Sequence, residues 1–96
     1  MADSWFEFIP EGAHLQDTTI SSATTLSKPG SGAAKLLLQA TDKNVRFTLD
    51  GTVPTASKGF VLEADKPPVM IQVGEGVTVK VIEESATAAV EYQWGR

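Results

Sequence analysis

The chain has 96 residues, of which 42% are apolar, and it carries a net charge of −4. This length fits one small domain. The chain has no cysteine and one histidine, His14, which excludes disulfides, thiolate nucleophiles and zinc sites made of cysteine or clustered histidine. No apolar run approaches the roughly 18 residues of a membrane helix. The acidic start lacks the basic region of a signal peptide, so we expect a protein made and used without export.

Residues 1–32 are predicted to form an extended N-terminal arm and linker. The segment SWFEFIP is followed by a run rich in Ser, Thr and Gly, which is typical of flexible or extended chain. Residues 1–27 hold four acidic and no basic side chains, whereas residues 28–96 hold eight of each. An acidic arm disfavours nucleic acid and anionic membrane as partners and favours a basic protein surface.

The large apolar side chains of the arm, with the acids among them, are the predicted partner-binding residues. Four large apolar groups need burial, either against the domain as an edge strand or plug, or on a neighbouring subunit. Acidic side chains beside them would meet basic groups of a partner. The predicted residues are Trp5, Phe6, Glu7, Phe8, Ile9 and Glu11, with Asp3 as a further acid.

From Ala33 onward, apolar and polar residues alternate with a period of two, which predicts half-buried β-strands. The alternation is clearest in KLLLQAT, NVRFTL, GVTVKVI and ATAAVEYQW, and the short apolar runs GFVLEA and PVMIQV lie between them. Turn residues separate these segments at intervals of about 8–14 residues, which is typical of sandwiches and barrels. We therefore predict an all-β fold, a small antiparallel β-sandwich or barrel of about six to eight strands over residues 33–96.

The stretch DGTVPTASKG is predicted to be a self-bonded connector between two strands. Two of its glycines can take positive φ, and an Asp carboxylate can accept a backbone N–H bond from two residues on, closing an Asx turn. The proline fixes its own φ and favours an extended residue before it. A direct binding role for the loop tip stays open as the alternative. The structural-loop residues are Asp50, Gly51, Thr52, Pro54, Thr55 and Gly59.

Residue patterns for catalysis or metal binding are weak. Glu83 and Glu84 are adjacent, so their side chains point to opposite faces of a strand. The GEG at 74–76 lacks the lysine and following helix of a phosphate loop. Asp50 and Thr52 offer only one carboxylate to calcium, which takes about six to eight oxygens. We expect no enzymatic activity, no cofactor and no bound metal.

The segment VRFTLDGTVPTASKGFVL resembles a stretch of small virion structural proteins of tailed bacteriophages. In that family a strand runs into the pattern V-R-(aromatic)-T-x-D-G-T-x-P-T-x-x-x-G, and the chain closes on an apolar-aromatic strand, here AAVEYQW with Val90 and Tyr92. The resemblance is loose over residues 33–94 and close over residues 45–59. The matching positions are Val45, Arg46, Phe47, Thr48, Asp50, Gly51, Thr52, Pro54, Thr55 and Gly59.

This resemblance implies a non-enzymatic capsid decoration or cement protein that binds and stabilises the head shell. It further implies synthesis in the host cytoplasm, a position on the capsid surface, the major capsid protein or other virion proteins as partners, and a homo-oligomer on the particle. A small head–tail or tail component is the alternative within the same family. FTLDGTVPT is also similar to the Y-T-x-D-G-S-x-P-T stretch of chitobiase-like C-terminal β-sandwich domains, which makes a carbohydrate-binding module a further alternative.

Overall fold

The structure, a computed structural model, describes residues 8–29 and 33–96. Every regular element in these two ranges is a β-strand, and no helix within them is long and apolar enough to cross a membrane. The strands are β1 (Leu15–Asp17), β2 (Thr24–Leu26), β3 (Lys35–Thr41), β4 (Val45–Thr48), β5 (Phe60–Leu62), β6 (Val69–Gln72), β7 (Val79–Glu83) and β8 (Ala89–Gly95).

The eight strands form two four-stranded sheets that pack on each other as a β-sandwich. The first sheet has the order β1-β8-β3-β6 and the second the order β2-β7-β4-β5. All neighbouring strands in both sheets run antiparallel. The prediction of an all-β, antiparallel sandwich is therefore confirmed.

The core lies between the sheets and follows the period-two pattern of the sequence. Leu36, Leu38 and Ala40 of β3 are completely buried, while the residues between them are only half-buried. Val79 and Val81 of β7 supply the facing layer from the second sheet. Successive side chains of a strand point to opposite faces, so this alternation selects which face meets the core.

Two of the strands lie within the residues predicted to be arm and linker. β1 pairs with β8 and β2 pairs with β7, so each sheet begins before residue 32. Ile20 and Leu26 are buried in the core at 0% and 3% exposure. These isolated apolar residues stand among Ser and Thr, so the run resembles a linker in composition although it forms part of the sandwich. The sandwich therefore includes residues 15–26 as well as the predicted body.

Candidate functional site

The structure describes the predicted arm residues only from Phe8 onward. Trp5, Phe6 and Glu7 lie outside the described residues, as does Asp3. Phe8, Ile9 and Glu11 are described. Together with Pro10 they form residues 8–11, called here the arm segment.

The arm segment lies antiparallel along the end of β8. The Ile9 N–H donates to the Arg96 carbonyl at 2.7 Å, and the Arg96 N–H donates back to the Ile9 carbonyl at 2.9 Å. The Glu11 N–H donates to the Trp94 carbonyl at 2.8 Å. Pro10 lies opposite Gly95. The hydrogen bonds to β8 come from Ile9 and Glu11 on either side of it, so the N–H that proline lacks is not needed for the pairing. These residues were expected either to pack on the domain as an edge strand or plug or to dock on a neighbouring subunit. The backbone of the arm segment pairs with β8 in the manner of an edge strand.

Packing of the arm segment depends on Gly95. A Cβ at that position would lie 2.6 Å from the Phe8 ring and 2.6 Å from the Ile9 carbonyl oxygen. The Phe8 side chain thus lies against bare backbone and is half-buried. Ile9 instead remains 58% exposed. The arm segment thus places one large apolar side chain, that of Ile9, in solvent.

A bulge separates the arm segment from β1. Pro10 lies opposite Gly95, whereas Leu15 lies opposite Tyr92. The segment from Pro10 to Leu15 therefore advances five residues while β8 advances three. Gly12, with φ of 74°, allows the chain to turn there. The side-chain amide of Gln93 donates to the Glu11 and Gly12 carbonyls at 3.1 Å each. These bonds satisfy carbonyl groups that the bulge removes from the ladder.

Acidic groups along this edge are partly engaged within the chain. Arg96 Nε lies 3.1 Å from a Glu11 carboxylate oxygen, and the Glu11 side chain is only 13% exposed. Glu91 on β8 lies 2.6 Å from His14 Nε2 and also accepts a hydrogen bond from Gln16. These hydrogen bonds, that of His14 first, hold the pKa of the Glu91 carboxyl below its ordinary value of 4.5. Glu11, predicted to meet a partner, therefore positions the arm segment against Arg96.

The loop after β4 adopts the predicted Asx turn. The Thr52 N–H donates to Asp50 Oδ1 at 3.0 Å. Hydrogen bonds from the Thr52 side chain and backbone hold the pKa of the Asp50 carboxyl below its ordinary value of 3.8. Gly51 and Gly59 take positive φ values of 86° and 130°, as predicted. Thr55 and Lys58 exchange backbone hydrogen bonds of 3.0 and 3.2 Å, which close a small turn at the loop tip.

Buried groups fasten this loop to the sandwich. Pro54 is fully buried. The Thr48 hydroxyl donates to the Thr52 carbonyl at 2.5 Å, which explains why a polar residue of β4 is only 8% exposed. The Thr78 N–H donates to the Leu49 carbonyl at 2.9 Å. The loop is thus anchored beside β7 in the second sheet, whereas the arm segment belongs to the first sheet.

An apolar surface that the sequence did not indicate as a site lies at the β5 and β6 edges of the sandwich. Phe60 is 63% exposed, Val61 44% and Val69 40%, and together they line one groove of about 410 Å³. We call these three residues the β5–β6 patch. The Phe60 ring also lies 5.6 Å from the Phe47 ring. The apolar runs GFVLEA and PVMIQV contain these residues, but neither run indicated an exposed surface, because a sequence pattern does not reveal which strands become edges.

A second groove, of about 480 Å³, connects the patch to the loop. Its lining combines Phe60 with three polar side chains of the loop, those of Asp50, Thr52 and Lys58. Trp94 is only 2% exposed and Tyr92 is half-buried against the core, so these two aromatics form no exposed platform. Within the described residues, no three His, Asp or Glu side chains are grouped closely enough to hold a metal ion.

Comparison with protein-family models, curated proteins and solved structures gives no match to this chain. The resemblance of residues 45–59 to phage virion proteins, and the absence of catalytic activity expected from it, therefore remain predictions.

Proposed function

We propose that this protein is a non-enzymatic virion structural protein of a tailed bacteriophage, a capsid decoration protein that binds and stabilises the head shell. The observation that carries the proposal is the arm segment. Three backbone hydrogen bonds hold it along β8 while Ile9 stays 58% exposed. Large apolar side chains presented in this way supply much of the binding energy at protein interfaces. The resemblance over residues 45–59 supports the major capsid protein or another virion protein as the partner.

Stabilisation of the shell would follow from mass action. A protein that binds only the assembled state favours that state by an amount that grows with its free concentration. Trp5 and Phe6 lie three and two positions before Phe8 in the sequence and would add apolar contacts to the shell, while Asp3 and Glu7 would meet its basic groups. On this proposal the sandwich supplies a rigid support from which the arm engages the particle.

The experiment compares Ile9→Ser with Leu15→Ser as a matched control on the same edge, where Leu15 is 38% exposed. Each purified variant is titrated onto particles that lack the protein, and bound copies are counted. Ile9→Ser is expected to weaken binding by about tenfold or more, equivalent to about 1.4 kcal/mol. Its melting temperature should not change because the side chain is exposed. Leu15→Ser should bind like the natural protein.

A deletion of residues 1–7 provides the stronger perturbation, because it removes Trp5 and Phe6 and leaves every described contact in place. If both the deletion and Ile9→Ser bind particles at full occupancy, the arm is not the attachment site. An arm of this kind could attach the protein at the capsid surface or at a head–tail or tail position. Cryo-electron microscopy of native particles distinguishes these locations.

Carbohydrate binding is a second candidate, favoured by the groove that is lined by the exposed Phe60 together with Asp50, Thr52 and Lys58. Sugars stack on aromatic rings and bond to polar groups beside them. A glycan array at high protein concentration, with Phe60→Ala as the comparison, tests this reading. Absence of binding by the natural protein would remove it.

A further inference from the structure

The loop after β4 contains a chemically reactive pair of residues, Asp50 and Gly51. It is the one Asp–Gly pair in the sequence, which has no Asn–Gly pair. In such a pair the glycine nitrogen can attack the carboxyl carbon of the aspartate side chain, because glycine has no side chain to hinder the approach. Asp50 is exposed and Gly51 is half-buried. Water therefore reaches the pair in the folded protein.

We propose that Asp50 is a site of isomerisation to isoaspartate and that its hydrogen bonds with Thr52 keep the reaction slow. In the first step the Gly51 nitrogen forms a bond to Cγ of the protonated Asp50 carboxyl, and the carboxyl hydroxyl leaves with the amide proton as water. In the second step one water molecule adds to the cyclic imide. Addition at Cγ restores aspartate, whereas addition at the main-chain carbonyl carbon leaves the chain running through the side chain. The water lost is regained, so the mass of the protein does not change.

The hydrogen bonds of the Asx turn oppose the first step. The Thr52 N–H donates to Asp50 Oδ1 at 3.0 Å, which holds the carboxyl group in one orientation. Bonds from the Thr52 side chain and backbone also keep the pKa of the Asp50 carboxyl below its ordinary value of 3.8, and the positive charge of Lys58 acts in the same direction. An ionised carboxylate is a poor electrophile, because it has no hydroxyl group that can leave as water. The turn therefore keeps the reactive, protonated form rare.

The backbone on both sides of the pair is fixed as well. The Thr78 N–H donates to the Leu49 carbonyl at 2.9 Å, and the Thr48 hydroxyl donates to the Thr52 carbonyl at 2.5 Å. Closure of the five-membered imide ring requires rotation of the backbone within the pair, which these flanking bonds resist. We therefore expect conversion in the folded protein to be slower than in an unstructured peptide of the same sequence.

Once formed, isoaspartate would not replace Asp50 in the loop. Its main chain is one carbon longer, and its free carboxylate is one carbon closer to the main chain, so the Asx turn to the Thr52 N–H is lost. Asp50 and Thr52 line the groove of about 480 Å³ together with Phe60. Isomerisation would therefore alter this groove, whereas the arm segment lies on the first sheet and would keep its contacts.

The test is prolonged incubation of the full chain at physiological temperature and neutral pH, beside a synthetic peptide of residues 46–56. Isoaspartate is quantified by peptide mapping with electron-transfer fragmentation, since the two forms have the same mass. It should accumulate at Asp50, several-fold more slowly than in the peptide. Asp42 and Asp65 are internal controls that should stay unconverted, because they are also exposed but each precedes a lysine.

Thr52→Ala tests the hydrogen bonds directly. It should raise the rate in the protein several-fold, whereas the same substitution in the peptide should leave the rate unchanged. Thr55→Ala is the matched control, since it removes a hydroxyl of the same loop that accepts from the Ser57 N–H instead. It should convert like the natural protein. Circular dichroism checks that both variants fold, and the comparison of natural protein with peptide remains decisive if Thr52→Ala does not.

Three results would overturn the proposal. The first is a folded natural protein that isomerises as fast as the peptide. The second is a folded Thr52→Ala variant that converts no faster than the natural protein. The third is an Asp50 that stays unconverted after the peptide has reached equilibrium. Particle binding is absent from this assay, so none of these results bears on the capsid proposal.

Discussion

Replacing Gly95 by alanine should release the arm segment from β8 without unfolding the sandwich. The new Cβ would lie 2.6 Å from both the Phe8 ring and the Ile9 carbonyl oxygen, closer than real Cβ atoms approach other heavy atoms. Phe8 and Ile9 belong to an edge, so they can move away, whereas β8 is held between two neighbouring strands. The expected response is therefore local detachment.

The size of the effect follows from the interactions that detachment would break. Three backbone hydrogen bonds at about 1 kcal/mol each and the half-burial of Phe8 at about 1 kcal/mol amount to about 4 kcal/mol. The Glu11–Arg96 ion pair and the Gln93 hydrogen bond to the Glu11 carbonyl would be lost as well, at about 1 kcal/mol together. Freeing the four residues of the arm segment returns about 4 kcal/mol of backbone conformational entropy. The free energy of unfolding should therefore fall by about 1 kcal/mol, which for a domain of this size lowers the melting temperature by about 4–8 °C.

The assay combines thermal unfolding with hydrogen exchange of single amides. In Gly95→Ala, the amides of Ile9, Glu11 and Arg96 should lose protection, while those of β3 keep it. Gly74→Ala is the control, since a Cβ there has no heavy atom within 4 Å, and its stability should change by less than about 1 kcal/mol. Unchanged protection at Ile9, Glu11 and Arg96 in Gly95→Ala would refute the reasoning, and a loss of several kcal/mol would show that the arm segment folds with the core.

Two further predictions concern the loop and the arm edge. Gly59→Ala should destabilise the protein by about 2 kcal/mol and Gly76→Ala by about 1 kcal/mol. Both glycines have positive φ, but a Cβ at Gly59 would in addition lie 3.0 Å from the Phe47 carbonyl oxygen, whereas Gly76 faces open space. Equal losses of stability in chemical denaturation would contradict this. The pKa of Glu91 is depressed in the fold, so its contribution to stability is complete above pH 4.5 and is lost as pH falls through the lowered value. Urea unfolding between pH 7 and pH 3 should therefore show a smaller acid loss in Glu91→Gln than in the natural protein, and identical pH profiles would count against the assignment.

β3 and β7 could be predicted because their burial follows a period that the sequence displays. β3 is the clearest example, with alternate residues completely buried. The Asx turn at Asp50 and the positive φ at Gly51 were predictable for a similar reason, since both depend on one side chain and its neighbours in sequence.

Features that depend on distant partners were not predictable in this way. β1 and β2 have three residues each, too few to display a period, and β8 and β7 define them by pairing. Phe60 and Val61 looked like ordinary strand residues, because alternation contains no information on whether a second neighbour covers a strand. The ion pair between Glu11 and Arg96 joins residues 85 positions apart in the chain.

The connectivity of the two sheets affects how the chain folds. Among the connections between consecutive strands of the described ranges, only that from β4 to β5 stays within one sheet. β8 comes last in chain order yet lies between β1 and β3 and also supports the arm segment. During synthesis the first sheet therefore cannot be completed until residues 89–95 have left the ribosome. Until then β1 and β3 lack the strand that lies between them. Pairings this distant in sequence slow folding, so this chain should fold more slowly than a chain of the same length in which neighbouring strands pair.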